Sequence, residues 1–234
     1  MQQGKLPERK NNMYSIAIDG PAGAGKSTIA KILSEKLGYI YIDTGAMYRA
    51  VALYFIENGV STGEELYINE LLKKIDISIK YKNGVQILYL NGEDVSTRLR
   101  EENIGKLASK FSALKDVREK LVALQRELAK KENVIMDGRD IGTVVLPNAN
   151  LKIFLSASSS VRAKRRYLEL LQKGSTDIDL EEIEREIINR DNADMNRAIS
   201  PLKQAEDAKV LDTSDMKLNE VVEKILEIKR ENEG

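Results

Sequence analysis

Residues Gly20 to Ser27 read G-P-A-G-A-G-K-S: two glycines, a lysine and a hydroxyl side chain at the spacing of a phosphate-binding loop. In such a loop, formed here by Gly20, Pro21, Ala22, Gly23, Ala24, Gly25, Lys26, Ser27 and Thr28, backbone N–H groups and a helix N-terminus turn toward phosphate oxygens. Lys26 would reach the β- and γ-phosphates, and the Ser27 hydroxyl would ligate Mg²⁺. The pattern implies a nucleoside triphosphate site. The loop needs a strand before it and a helix after it. Tyr14–Asp19 is a β-rich run, and Thr28–Leu37 carries apolar residues at helical spacing.

Two further polar groups also follow short apolar runs. In D-T-G-A-M-Y-R, Asp43 or Thr44 is placed to cap a helix, and Arg49 lies less than two turns along it. Asp43 reads either as a site residue or as a structural cap. In D-G-R-D, Asp137, Gly138, Arg139 and Asp140 follow a third run. Ligands of open α/β sheets sit beyond the carboxyl ends of the strands, so Arg139 and Asp140 belong on the same rim as the loop unless they form a structural salt bridge. Arg162, Arg165 and Arg166 share one helical segment and read equally as a solvated face. Arg190 and Arg197 are seven apart, two helical turns, and the stretch Asp191–Pro201 between and beyond them is too polar for a core helix. Arginines converging on a phosphate loop suit a second phosphate group, which they grip bidentately while staying charged.

These groups need a scaffold, and five β-like runs alternate with helical segments to supply one: Tyr14–Asp19, Tyr39–Ile42, Val134–Asp137, Leu151–Leu155 and Lys209–Leu211. Helices are expected around Ala46–Asn58, Val117–Lys131, Ser160–Gln172, Leu180–Arg190 and Leu218–Arg230. Such alternation predicts an α/β fold with a five-stranded parallel sheet flanked by helices. Ile77–Tyr81 and Val85–Leu90 break the rhythm. They alternate as a hairpin and are followed by Asn91-Gly92, so a small β-containing insertion outside the main sheet is expected near 62–100, either a substrate-side lobe or a surface elaboration.

Composition narrows the chemistry. The 234-residue chain has no His and no Cys, which excludes imidazole bases, thiolate nucleophiles and disulfides. Phosphoryl transfer suits what remains, since it depends on positioning and charge. Lys+Arg and Asp+Glu each number 37, so there is no bulk attraction to nucleic acid or to acidic membranes. No stretch approaches the ~20 apolar residues of a membrane span. Residues 1–12 are polar and read as a disordered leader, and a cytoplasmic monomer is expected.

Together, G-P-A-G-A-G-K-S-T, D-T-G-A-M-Y-R, D-G-R-D-I-G-T-V-V and R-D-N-A-D-M-N-R-A-I-S-P-L resemble bacterial cytidylate kinase, from Met13 to the C-terminus. The resemblance implies a P-loop kinase that phosphorylates CMP and dCMP with ATP and Mg²⁺. It implies a core over 13–234, a nucleotide-monophosphate (NMP) binding insertion at 62–100 and a helical lid at 157–200. It assigns the CMP phosphate to Arg49, Arg139, Arg190 and Arg197, with Lys26 on the transferred group. It assigns the cytosine to Ser109, Arg118 and Asp140, the ribose to Asp194, and the ATP phosphates to Arg162 and Arg166. Asp43, Thr44, Tyr48, Asp137 and Gly138 fall in the same substrate motifs. The family often carries further arginines where Ala193 and Met195 stand, so the lid is expected to grip less tightly. It commonly has Ser at Thr44, where the hydroxyl is kept. Alternatives are another small P-loop kinase, for AMP, UMP or shikimate, a nucleotide-dependent switch such as a GTPase, which would need an N-K-x-D segment that the chain lacks, or a nucleic-acid motor, which the balanced charge disfavours.

Overall fold

The computed structural model describes residues 13–60, 65–82 and 84–233, so the expected leader at 1–12 lies outside it. Its core is a five-stranded sheet in the order β2-β6-β1-β7-β8, every neighbouring pair parallel. The strands are β1 (Ser15–Asp19), β2 (Ile40–Asp43), β6 (Val134–Gly138), β7 (Leu151–Ser156) and β8 (Lys209–Asp212). Each expected run forms its strand within two residues at either end. Alternation along the strands feeds two apolar layers. Ile16, Ile18, Ile135 and Ile153 face α1 (Lys26–Leu37) and α8 (Leu218–Glu233), while Ala17, Val134 and Met136 face α2 (Thr44–Glu57) and α5 (Lys115–Ala129).

The hairpin is present as β3 (Ile77–Lys82) and β4 (Val85–Leu90), which pair antiparallel with Ile77 opposite Leu90. A short β5 (Glu93–Asp94) adds a third strand, and α3 (Glu65–Lys74) and α4 (Glu102–Phe111) flank this small sheet. The insertion has no core of its own. Ile68, Leu71, Leu88, Leu90, Leu99 and Phe111 are continuous with the buried face of α2 and α5. It also touches the main sheet at the end that matters chemically. The Tyr81 hydroxyl donates to the Tyr41 carbonyl at 2.9 Å, and the Asp43 N–H donates to Gln86 Oε1 at 2.9 Å.

Beyond β7, α6 (Ser159–Gln172) packs on α7 (Leu180–Asn196). α7 continues past Arg190, correcting the expectation that the polar stretch from Asp191 leaves the helix. Its buried stripe is Ile187, Asp191 and Asp194, so carboxylates occupy the i+4 and i+7 positions where a core helix puts apolar side chains. Both are neutralised by arginines. Among the described residues no helix is long and apolar enough to cross a membrane.

The rings of Phe55 on α2 and Phe111 on α4 meet edge-on at 4.8 Å, both fully buried. Phe111→Ala should cost about 3–5 kcal/mol of stability, read by urea unfolding. A loss under about 1 kcal/mol would mean that the insertion does not share the core.

Candidate active site

The glycine loop connects β1 to α1 at the carboxyl end of the sheet. Gly20 has φ +146°, and a Cβ there would lie 2.1 Å from the Leu155 carbonyl oxygen, so no other residue fits. α1 begins at Lys26 with Gly25 as N-cap, and no side chain caps its first turn, which leaves those amides free for an anion. Lys26 is buried and donates to the Pro21 carbonyl at 2.7 Å. Desolvation, then the Arg139 guanidinium, pushes its pKa well below the ordinary value, while Asp137 and Asp19 oppose the shift. Ser27 and Thr28 follow in the first turn, both exposed, and Ala24 is buried beneath the loop.

A second group of charged residues lies beside it. Asp43 is the structural cap that the sequence allowed: its carboxylate accepts from Ala46 N–H at 2.8 Å, and it also pairs with Arg49 at 3.0 Å. The buried Thr44 hydroxyl donates to the Asp137 carbonyl at 2.6 Å, which locks the start of α2 to the end of β6. Gly138 ends β6, and its carbonyl accepts from Arg139 Nη1 at 3.3 Å. The Nε of Arg139 pairs with Asp194 at 2.8 Å. Arg190 remains open to solvent. Partial desolvation, then Arg139, lowers its pKa, with Asp194 opposing and Arg49 adding to the shift. The structure thus brings Lys26, Arg49, Arg139 and Arg190 into one electrostatic group.

Arg197 is at a different place. The chain turns extended at this residue (φ −66°, ψ 142°), so it leaves the helical face it would share with Arg190. Its guanidinium lies 3.8 Å from Asp140 and 3.9 Å from Asp194. Asp140 and Arg118 form a buried ion pair, and the Arg118 guanidinium stands 5.6 Å over the Tyr48 ring. Arg118 Nη1 also donates to the Ser112 carbonyl at 3.2 Å, and the Ser112 hydroxyl donates to the Ser109 carbonyl at 2.7 Å. The buried Tyr48 hydroxyl, Arg118 Nε and Arg197 Nη2 have no hydrogen-bond partner among the described residues. Such atoms cost about 1–3 kcal/mol each, and the three of them around Asp140 are polar groups that a ligand could satisfy. On α6, Arg162 is buried against Asp191 and the Ala22 carbonyl, whereas Arg166 pairs with Glu169 on the outer face.

Several polar residues of this site were not singled out in the sequence. Asp19, at the end of β1, accepts from Ile141 N–H at 2.8 Å and Gly142 N–H at 2.7 Å, fixing the loop that follows Asp140. The strand-end rule that pointed to Asp43 and Asp137 would also have found it. The Tyr41 hydroxyl donates to Asp137 at 2.8 Å. Nothing in the strand pattern distinguishes Tyr41 from an ordinary core aromatic. Asp191 was legible in principle, three residues before Asp194 on one helix face. Burial pushes the carboxyls of Asp19 and Asp137 up to about 6, helped at Asp137 by the neighbouring Asp43.

A protein-family model described as cytidylate kinase matches residues 16–231. A cytidylate kinase of Caldicellulosiruptor bescii is 54% identical over 214 residues, covering 92% of this chain and 94% of its own length. That of Lactobacillus gasseri is 55% identical, covering 93% and 94%, and that of Thermotoga maritima is 50% identical, covering 93% and 97%. A solved structure of an uncharacterised protein from Eubacterium ventriosum aligns with a TM-score of 0.53 at 14% identity, covering 94% of this chain and 99% of that one, and shares the fold. The chain belongs to the cytidylate kinase family.

The raised carboxyls have a measurable consequence. Asp19 and Asp137 titrate near 6 when folded, against about 3.9 unfolded, so the folded chain holds more protons between these values. Their contribution to stability is therefore full below the unfolded value and lost as pH rises through about 6. Asp137→Asn removes one of the two groups. Between about pH 4 and 7, its unfolding free energy should fall less steeply with pH than that of the unsubstituted chain, measured by urea unfolding. Parallel curves would contradict the assignment.

Proposed function

We propose that this cytidylate kinase family member transfers the γ-phosphoryl group of ATP to the phosphate of CMP or dCMP in a single in-line step. The observation that carries the reading is the convergence of Lys26, Arg49, Arg139 and Arg190 at the carboxyl ends of β1, β2 and β6, beside the buried Arg118–Asp140 pair. Two polyanions brought together repel, and a preorganised cationic rim offsets that repulsion without rearranging at the moment of reaction. The nucleophile is a phosphate oxygen, already an anion, so no general base is required and a chain without histidine can do the chemistry.

Lys26 acts on the group in flight, while Arg49, Arg139 and Arg190 hold the acceptor phosphate. Asp194 orients Arg139 and faces the ribose, and Arg197 spans the phosphate and base ends of the acceptor. Ser109 belongs at the base end, next to the Ser112 carbonyl that steadies Arg118. The residues 62–100 form the NMP-binding lobe, and 157–200 form the lid that excludes water, with Arg166 available to the ATP phosphates on closure. Mg²⁺ fits the exposed Ser27 hydroxyl. Among the described residues no group of three or more acidic side chains is arranged to hold a metal, so phosphates and water would supply its remaining ligands. When bound, it neutralises charge between the β- and γ-phosphates.

Base choice follows from donor and acceptor order. Cytosine offers an N4 amino donor to the Asp140 carboxylate, and its N3 and O2 accept from Arg118. Uracil presents O4 and N3–H instead, setting an oxygen against the carboxylate and leaving buried groups unpaired at about 1–3 kcal/mol.

A coupled ADP-release assay with CMP, dCMP, UMP, AMP and shikimate side by side tests the reading, which expects turnover of the first two above the rest. Lys26→Ala should lower kcat by about 10²–10³ with a small change in the KM for CMP. Arg118→Met should reduce the preference for CMP over UMP by about five- to 150-fold, the equivalent of 1–3 kcal/mol. An unchanged preference would take base reading away from Arg118.

A further inference from the structure

The phosphate loop is poor in side chains of its own, so its shape depends on what grips its backbone. One residue is held through both of its backbone polar groups from two different helices. Asp191 Oδ1 on α7 accepts from the Ala22 N–H at 3.4 Å, and Arg162 Nη1 on α6 donates to the Ala22 carbonyl at 3.0 Å. The two side chains join each other at 2.5 Å, and both are buried. Arg162 is further held by its Nε, which donates to the Ala157 carbonyl at 2.8 Å. The next loop residue, Gly23, lies so close that a Cβ on it would sit 3.3 Å from Arg162 Cβ.

A buried ion pair is a weak device for stability, because desolvation offsets most of its attraction and an apolar pair of similar volume does as well. Its placement points to a different use. Asp191 directly follows Arg190, the rim cation that feels Arg139 and Arg49, so one helical segment carries an acceptor-side group and a donor-loop group side by side. The Asp191 contact therefore links this turn directly to Ala22.

We propose that Asp191 and Arg162 are positioning residues that clamp the Ala22 backbone of the donor loop to the helix bearing Arg190, so that acceptor binding tightens ATP binding. The clamp rests on the functional reading above, in which Arg190 engages the acceptor. Linkage requires reciprocity: the factor by which CMP tightens ATP must equal that by which ATP tightens CMP.

Calorimetric titration of the β,γ-imido analogue of ATP, with and without saturating CMP, measures that factor. The unsubstituted protein should show tightening of about fivefold or more, equal in both directions. Asp191→Ala should bring the factor close to one while changing the affinity for CMP alone by no more than about twofold. Asp191→Ala leaves the Arg162 charge buried and unpaired, so the pair Arg162→Met with Asp191→Leu, which restores an apolar contact, should show the same loss in a stably folded chain. A factor of one in the unsubstituted protein, or a factor retained in either variant, overturns the clamp. Absence of CMP binding to the unsubstituted protein would instead sink the functional reading. The same titration, run with whichever acceptor the substrate panel identifies, then judges the clamp independently.

Discussion

Mutual repulsion among cations is the constraint around which this protein is organised. Two guanidiniums about 4 Å apart repel by about 4 kcal/mol at an effective dielectric near 20, and the rim gathers a buried lysine and three arginines. It is held together by carboxylates spaced among them. Asp43 pairs with Arg49, Asp194 pairs with Arg139, and Asp137 and Asp19 offset the desolvation of Lys26. These carboxylates in turn suffer for their position, two of them with pKa values raised to about 6. The site is a balance of buried charge.

The parallel sheet makes this balance possible. In register, Asp43 on β2 stands beside Asp137 on β6, and Asp19 on β1 beside Gly138, so three adjacent strands deliver acidic side chains to one edge. Each then hands the chain to a loop or helix that supplies cations: Lys26 after β1, Arg49 after β2, Arg139 after β6. Cross-strand ties hold the edge rigid, among them the Thr44 hydroxyl on the Asp137 carbonyl and the Asp19 carboxylate on two successive amides. The inserted hairpin braces the same edge through Tyr81 and Gln86. The Arg118–Asp140 pair stands slightly apart, with Tyr48 and Arg197 against it.

Much of this was legible in the sequence because period-2 alternation and glycine-lysine spacing are local signals. The five core strands, the loop and the hairpin all lie where the residue patterns put them. What escaped was non-local. α7 runs through Asp191 and Asp194 because arginines from α6 and from the loop after β6 neutralise them, and no window around residue 191 contains those partners. The seven-residue spacing of Arg190 and Arg197 suggested one face, but the helix ends between them and sends Arg197 toward Asp140. α4 is the exception, missed although its signal is local: Ile104, Leu107, Ala108 and Phe111 stand at helical spacing. Chemistry-bearing residue types were easier to list than to sort, and the sorting came from packing.

The central claim is that one continuous site seats a donor and an acceptor with their phosphates end to end. A conjugate of adenosine and cytidine joined through five phosphates tests it most directly, by equilibrium binding and competition. The account predicts binding about a hundredfold or more tighter than CMP alone, with displacement by ATP and by CMP alike. Displacement by ATP but not by CMP, or affinity no better than that of ATP alone, would contradict it.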